Sequence, residues 1–265
     1  MRSEITAYYE RLAEPGRLGA TPWGKLEYLR TWDVLMRELP APPAQILDVG
    51  GAAGVYAAPL GGMGYDVHLI DPLDEHVAMA SILVRTTATL GDARDLPVPD
   101  ASADAVLMLG PLYHLTERAD RVRAWQEAAR VSKPGAVIVA ATISRYASML
   151  DGFVKGYLRE PAFGEMLERT LAEGVHENLG GGKPEWFTTA YFHLPNEAAE
   201  EAADAGLAVK RVVSVEGPLW MLADRLDSWL ADDEELLLSW LRRVEEEPGL
   251  LGSSSHLLTI CRNPG

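Results

Sequence analysis

Cysteine is nearly missing from this chain: Cys261 is the only one among 265 residues. One thiol closes no internal disulfide and builds no thiolate metal cluster, which removes disulfide scaffolds and cysteine-based zinc sites from consideration. Its place in the apolar run 256–261 marks it as a core side chain and not a nucleophile. Basic residues are also scarce, with 24 Lys and Arg against 39 Asp and Glu and a formal net charge of −15. Such a surface repels phosphate backbones and anionic lipid, so neither nucleic acid nor a membrane is expected as a partner. No apolar run is long enough to span a bilayer. The stretch 1–14 mixes both charge signs too early for a signal peptide. The expectation is a soluble, cytoplasmic protein, a monomer or homodimer, that acts on a small molecule. Hydrophobic residues make up 48% of the chain, enough for a sizeable core in one large domain.

The most informative stretch is 45–72. Ile46-Leu47-Asp48-Val49 has the β-forming, apolar character of a buried parallel strand. Gly50-Gly51-Ala52-Ala53-Gly54 follows as a turn of small residues that lets a ligand approach the main chain. Val55-Tyr56-Ala57-Ala58 opens a helix whose first N–H groups point back into the crevice. A second strand, Asp66-Val67-His68-Leu69-Ile70, ends on Asp71. This strand, glycine turn, helix, strand and acid form the first half of a nucleotide-binding α/β sheet.

A dinucleotide fingerprint requires G-x-G-x-x-G, but counting from Gly50 places Ala52 and Val55 where glycines belong. Asp48 beside the turn would repel a pyrophosphate and suits a ligand carrying positive charge. S-adenosylmethionine carries a sulfonium and an α-ammonium, and its ribose needs an acceptor such as Asp71.

Asp48-Val49-Gly50-Gly51-Ala52-Ala53-Gly54 resembles the first motif of the class I S-adenosylmethionine-dependent methyltransferases, acid-x-Gly-x-Gly-x-Gly, with Ala52 replacing the middle glycine. Asp71 falls where that family places its ribose-binding acid. Gly91-Asp92-Ala93-Arg94-Asp95-Leu96-Pro97 resembles its adenine loop, with Asp92 toward the exocyclic amine and Ala93 offering backbone. The resemblance implies cofactor contacts at Asp48, Gly50, Gly51, Gly54, Asp71, Pro72, Asp92, Ala93 and Leu109. It also implies a doubly wound α/β fold: a mostly parallel sheet with an antiparallel C-terminal strand, helices on both faces, N-terminal helices and a lid insertion. The corresponding parts are an N-terminal helical cap (1–43), a cofactor-binding core (44–143), a lid (144–193) and the C-terminal part of the sheet (194–265).

Apolar residues recur at helical spacing over 3–12, and a second helical pattern runs over 23–39. Tyr8, Tyr9 and Trp23 on these helices either contact a substrate or pack on the sheet. His76, in the helical pattern 74–80, is expected on a solvated face. Strands are expected near 88–90, 103–109 and 136–141, with a helix over 115–131 between the last two. Function gathers outside the carboxyl ends of such strands, which carry Asp48, Asp71, Asp92 and the segment Gly110-Pro111-Leu112-Tyr113-His114. The insertion 144–193 is rich in aromatics and suits a lid over an apolar small molecule, or simply packs on its domain. Beyond it, Asn196 is expected to cap a helix, 207–215 reads as a strand, and 231–247 as one helix with an Asp232/Glu235 capping box. The run 256–261 matches the family's final antiparallel strand.

Methyl transfer from a sulfonium expels a neutral thioether, so catalysis can rest on alignment, and a base is needed only where the acceptor must lose a proton. His114 is the candidate base, the other role open to it being a backbone-bonded histidine in the pocket wall. Tyr113, Tyr146, Tyr191 and His193 are further candidates for substrate contact. No metal is expected: His114 and Glu117 stand at i, i+3 without a second histidine at a recognisable spacing. A nicotinamide oxidoreductase of the Tyr-x-x-x-Lys type finds no lysine four positions after Tyr113, Tyr146, Tyr157 or Tyr191. A hydrolase elbow fails at Gly252-Ser253-Ser254-Ser255-His256, which lacks the closing glycine. The alternative function is a protein that binds S-adenosylmethionine without methyl transfer, using it electrostatically or serving as a partner-binding module.

Overall fold

The computed structural model describes residues 16–178 and 183–265. The expected helix over 3–12, with Tyr8 and Tyr9, lies outside the described residues. Five parallel strands lie in the order β3 (Thr86–Leu90), β2 (Asp66–Asp71), β1 (Gln45–Val49), β4 (Ala103–Met108) and β5 (Ser132–Ser144). Beyond β5 lies β9 (His256–Arg262), antiparallel, with β8 (Ala208–Ser214) antiparallel to it in turn.

Period-two alternation explains why both faces of the sheet are covered. Ile46, Leu69, Ala105, Val137 and Ile260 join one core cluster with Val34 and Leu35 of the helix Pro22–Glu38 and Leu60 of the short helix Ala57–Gly62. Their neighbours Leu47, Ile70, Val106, Ile138 and Cys261 face the other way. They pack on the fully buried Trp125 of the helix Arg118–Val131 and on Ala198 and Ala202 of the helix Glu197–Asp204.

Two features of β5 shape the functional rim. β9 runs along it from Val137↔Arg262 to Ile143↔His256, so an antiparallel strand delivers its first residue, His256, to the carboxyl end of the parallel strands. β4 stops pairing at Ala140, and the vacated edge is taken by β7 (Ala190–His193), which pairs with Ile143 and Ser144. The insertion is thereby hydrogen-bonded to the sheet, through β7 and the two-residue strand β6 (Val175–His176), and carries the helices Ala147–Lys155 and Pro161–Glu173.

The N-terminal helix Pro22–Glu38 is tied to the C-terminal part by charge. Glu245 accepts from Arg30, Arg37 and Arg211, while Glu38 pairs with Lys210 and Arg211. Arg30 is fully buried, and its Nε also donates to the Val215 carbonyl. These bonds fix the helix that bears Trp23 and Glu27.

Three local expectations change. The 231–247 helix is two helices, Leu226–Asp232 and Glu234–Val244, divided at Asp233. Glu235 forms no capping box with Asp232, since the N-cap is Asp233, and its Oε1 accepts from Arg242. Asn196 stands at the N-cap position but makes no side-chain cap bond, and Glu197 accepts the Leu194 N–H instead.

Candidate active site

The turn after β1 folds tightly against the rim. Gly50 adopts φ 71°, and its N–H donates to the Ile70 carbonyl at 2.7 Å. Ala52 takes the left-handed region too, at φ 48°, where a side chain is tolerated at a cost of about 1 kcal/mol. A Cβ on Gly51 would come within 2.5 Å of Asp48 Oδ2 and 2.7 Å of Leu69 Cδ1, so no larger residue fits unshifted. The expected helix start at Val55 moves to Ala57, and the residues before it form turns around the crevice.

One cavity at this rim is lined by Asp48, Gly50, Gly51, Asp71, Pro72, Asp92, Ala93 and Leu109, eight of the nine residues expected at a cofactor. Gly54 is not among its lining residues. A Cβ there would meet Leu83 Cδ1 at 2.4 Å, so its smallness serves close packing of the turn on the neighbouring segment.

Asp48 is buried, lines this cavity, and neither carboxylate oxygen has a hydrogen-bond partner among the described residues. Burial, with the nearby Asp71 adding to it, pushes its carboxyl up to about 7. A buried carboxylate left in this state is expensive unless a cation arrives.

Asp71, by contrast, is held by the protein through both carboxylate oxygens. Oδ2 accepts from the Ala52 N–H at 3.0 Å, and Oδ1 accepts from the Leu73 N–H at 3.0 Å and contacts His76 Nδ1 at 2.9 Å. His76 is therefore not on a solvated face: it is buried and braces Asp71. The remaining lone pair of Oδ2 suits a ribose hydroxyl. Asp71→Ala should weaken binding of S-adenosylhomocysteine by ~1–3 kcal/mol, read by calorimetry; unchanged affinity would remove Asp71 from the ribose. Asp92 is gripped by Arg94 through Nε (2.9 Å) and Nη2 (2.7 Å), which holds its carboxyl below the ordinary value.

The single turn Leu112–His114 after β4 carries Tyr113 and His114 to the same cavity. His114 is half-buried, its ring stacked 6.2 Å from Phe187. Burial lowers its imidazole to about 4, against the opposing pull of the Thr189 backbone and Asp71. A nitrogen so reluctant to take a proton is a poor base near neutral pH, which favours the wall role for His114.

A second cavity, of about 640 Å³, shares Tyr113 with the first and is lined by Trp23 and by Tyr157, Trp186, Phe187 and Phe192 of the insertion. Its size falls in the usual range for small-molecule pockets. Tyr146, Tyr191 and His193, expected at the substrate, line neither cavity. Along β7 the side chains alternate, so Phe192 faces the cavity while Tyr191 and His193 face away. Tyr191 lies under the Arg121 guanidinium, 3.6 Å from its ring centre, and His193 Nε2 is 3.5 Å from Glu201. Tyr146 precedes the helix Ala147–Lys155 and turns toward Gly252. The second cavity also holds Glu27, Glu216 and His256, which motif reasoning missed.

A glycine turn closing the first strand of a parallel sheet, with an unpartnered buried acid facing a crevice, defines a nucleoside-cofactor protein of Rossmann-like type. The comparisons name the class. Residues 47–140 match the methyltransferase-domain family. An uncharacterized methyltransferase of Mycobacterium tuberculosis is 33% identical over 156 residues, 58% of this chain and 58% of that protein's length. A ubiquinone biosynthesis O-methyltransferase of Paramagnetospirillum magneticum is 29% identical over 192 residues, 69% of this chain and 68% of its own. The solved S-adenosylmethionine-dependent methyltransferase of Mesorhizobium loti shares the fold, with a TM-score of 0.58 at 20% identity over 89% of this chain and 99% of that one. The motifs implied a class I domain that uses S-adenosylmethionine, and residues 47–140 match a methyltransferase domain in agreement with that expectation. The unpaired Asp48 carboxylate fits the ammonium of that cofactor.

Proposed function

We propose that the chain transfers a methyl group from S-adenosylmethionine to a small-molecule acceptor held in the second cavity. The observation that carries this is the buried, unpartnered Asp48 in a crevice that meets an aromatic cavity at Tyr113. In this reading Asp48 receives the ammonium, Asp71 the ribose, and Asp92 with Ala93 the adenine. When bound, the cofactor supplies an electrophilic methyl with a neutral thioether leaving group. The protein's part is alignment and exclusion of water: the turn at Gly50 and Gly51 lets the backbone approach closely, and Tyr113 lies where the two ligands would meet.

The aromatic walls suit an acceptor with a flat apolar body, with residues 144–193 as its cover and the helix bearing Trp23 as the opposite wall. The similarity to an O-methyltransferase supports oxygen as the atom methylated. Among the described residues no helix is long and apolar enough to cross a membrane. With Cys261 reduced and buried, we infer a cytoplasmic setting. The test is incubation with isotopically labelled S-adenosylmethionine and small-molecule extracts, followed by mass spectrometry. A labelled product heavier by one methyl group is expected. Tight cofactor binding with no product across a broad acceptor panel would instead leave a binding protein.

A further inference from the structure

The second cavity contains a proton-handling pair that the cofactor reading leaves unused. His256, the first residue of β9, places Nδ1 2.5 Å from Glu216 Oε1. Glu216 follows β8 and is buried. Its Oε2 accepts from Ser254 Oγ at 2.7 Å and from the His256 backbone N–H at 2.9 Å. Burial pushes the Glu216 carboxyl up, but the charge and hydrogen bonds of His256, with Ser254, outweigh it and leave it below its ordinary value. Glu27 Oε2 lies 3.9 Å from the same Nδ1.

We propose that His256 is the base that accepts a proton from a hydroxyl acceptor, phenolic in class, and that Glu216 positions it, a role that rests on the methyltransferase reading. An ionised Glu216 holds the proton on Nδ1, which makes Nε2 the basic nitrogen and stabilises the imidazolium once formed. In the reaction the acceptor oxygen forms the new O–C bond as the C–S bond breaks with its electrons to sulfur. The hydroxyl proton passes to His256 Nε2 and leaves to solvent after product release.

The chemistry of the cluster selects among acceptors. Both Glu216 oxygens are committed to His256 and Ser254, so the pair presents an acceptor with an imidazole base and not with the Glu216 carboxylate. A metal ion held by Glu27, Glu216 and His256 is disfavoured, although their ligand atoms lie within 4.8 Å of one another. Ligands of one ion stand roughly 3 Å or more apart, and the 2.5 Å contact is a hydrogen bond. A hydroxyl bound among Trp23, Tyr157, Phe187 and Trp220 needs what the pair offers, a proton acceptor. The other charged groups lining the cavity, Asp151, Lys155 and Glu185, would contribute to its pH response.

The test uses the whole protein with S-adenosylhomocysteine and 4-nitrophenol, whose phenolate is read by visible absorbance. Below the phenol's own pKa, the wild type should hold the bound phenol about tenfold more ionised than in solution, an excess lost in His256→Gln. With S-adenosylmethionine, His256→Gln should lower kcat for alkylphenols by about 100-fold or more, while nitrophenols already ionised lose little. Glu216→Gln should shift the pH–rate limb of alkylphenols and spare ionised nitrophenols; a fold defect would slow both classes alike. Equal losses for both classes in His256→Gln, or bound phenol showing no excess ionisation, would overturn the assignment. Phenols that do not bind, with S-adenosylhomocysteine still bound, overturn it and spare the methyltransferase reading. Failure to bind S-adenosylhomocysteine overturns both.

Discussion

Asp48→Asn is expected to stabilise the ligand-free protein at neutral and alkaline pH and, in the same molecule, to cripple cofactor binding. The two effects have one origin. The Asp48 carboxyl is buried with no partner among the described residues, and burial, with Asp71 adding to it, pushes it up to about 7 from the ordinary 3.8. A group raised in this way favours the fold most when protonated. Its contribution is fully present below about pH 4 and is lost as the pH rises through about 7. Each pH unit of displacement is worth about 1.4 kcal/mol, so the native state at pH 8 bears a penalty of order 4 kcal/mol or less. Asparagine keeps the shape and removes the charge, though its amide still costs something to bury. The ligand-free variant should therefore melt several degrees higher than wild type at pH 8 and about equally at pH 4. Removing the ammonium's partner should weaken S-adenosylmethionine binding by ~2–4 kcal/mol, or roughly 30- to 1,000-fold. A variant that melts lower at pH 8, or binds the cofactor undiminished, would show that Asp48 is not the waiting counter-ion.

Glu245→Ala should be the most damaging change outside the site. Glu245 is the common acceptor for Arg30, Arg37 and Arg211, and its removal leaves the fully buried Arg30 without its nearest carboxylate. Breaking one partner out of a buried ion cluster costs about 3–5 kcal/mol, to be read as a lower urea midpoint. Burial opposes ionisation of Glu245, but Arg37 and Arg30 outweigh it and hold the carboxyl below its ordinary 4.5. A depressed acid stabilises above its unfolded pKa, so the gap between wild type and variant should close as the pH falls below about 4. Because the same cluster fixes the helix bearing Trp23 and Glu27, acceptor binding should suffer more than cofactor binding. A urea midpoint unmoved at pH 7 would show the cluster to be incidental.

The parts of this molecule legible in its sequence are those written locally. β1, the glycine turn, β2 and Asp71 are contiguous, and their order as strand, turn, strand and acid follows from neighbouring residues alone. The crossing of β9 back along β5 came from family resemblance, and its consequence for His256 did not follow from any motif. Glu27, Glu216 and His256 are separated by up to 229 positions and meet only through the sheet. A histidine opening the last strand of such a sheet, at the rim where parallel strands end, is the signal that strand direction alone could have offered. Tyr191 and His193 have the chemical type of substrate contacts, but the alternation along β7 turns them away from the cavity that Phe192 lines. His76 shows the opposite: helical spacing alone does not reveal that its ring reaches back five positions to Asp71. Gly54 belongs to the motif but serves packing against Leu83, a contact that no spacing rule contains.

The most direct measurement is calorimetric titration of the unmodified protein with S-adenosylhomocysteine and, in parallel, with a nicotinamide dinucleotide. If a lone buried anion selects the ligand, the thioether nucleoside should bind saturably, one per chain, and the dinucleotide should give no heat beyond dilution. Binding of the dinucleotide with indifference to S-adenosylhomocysteine would contradict the account.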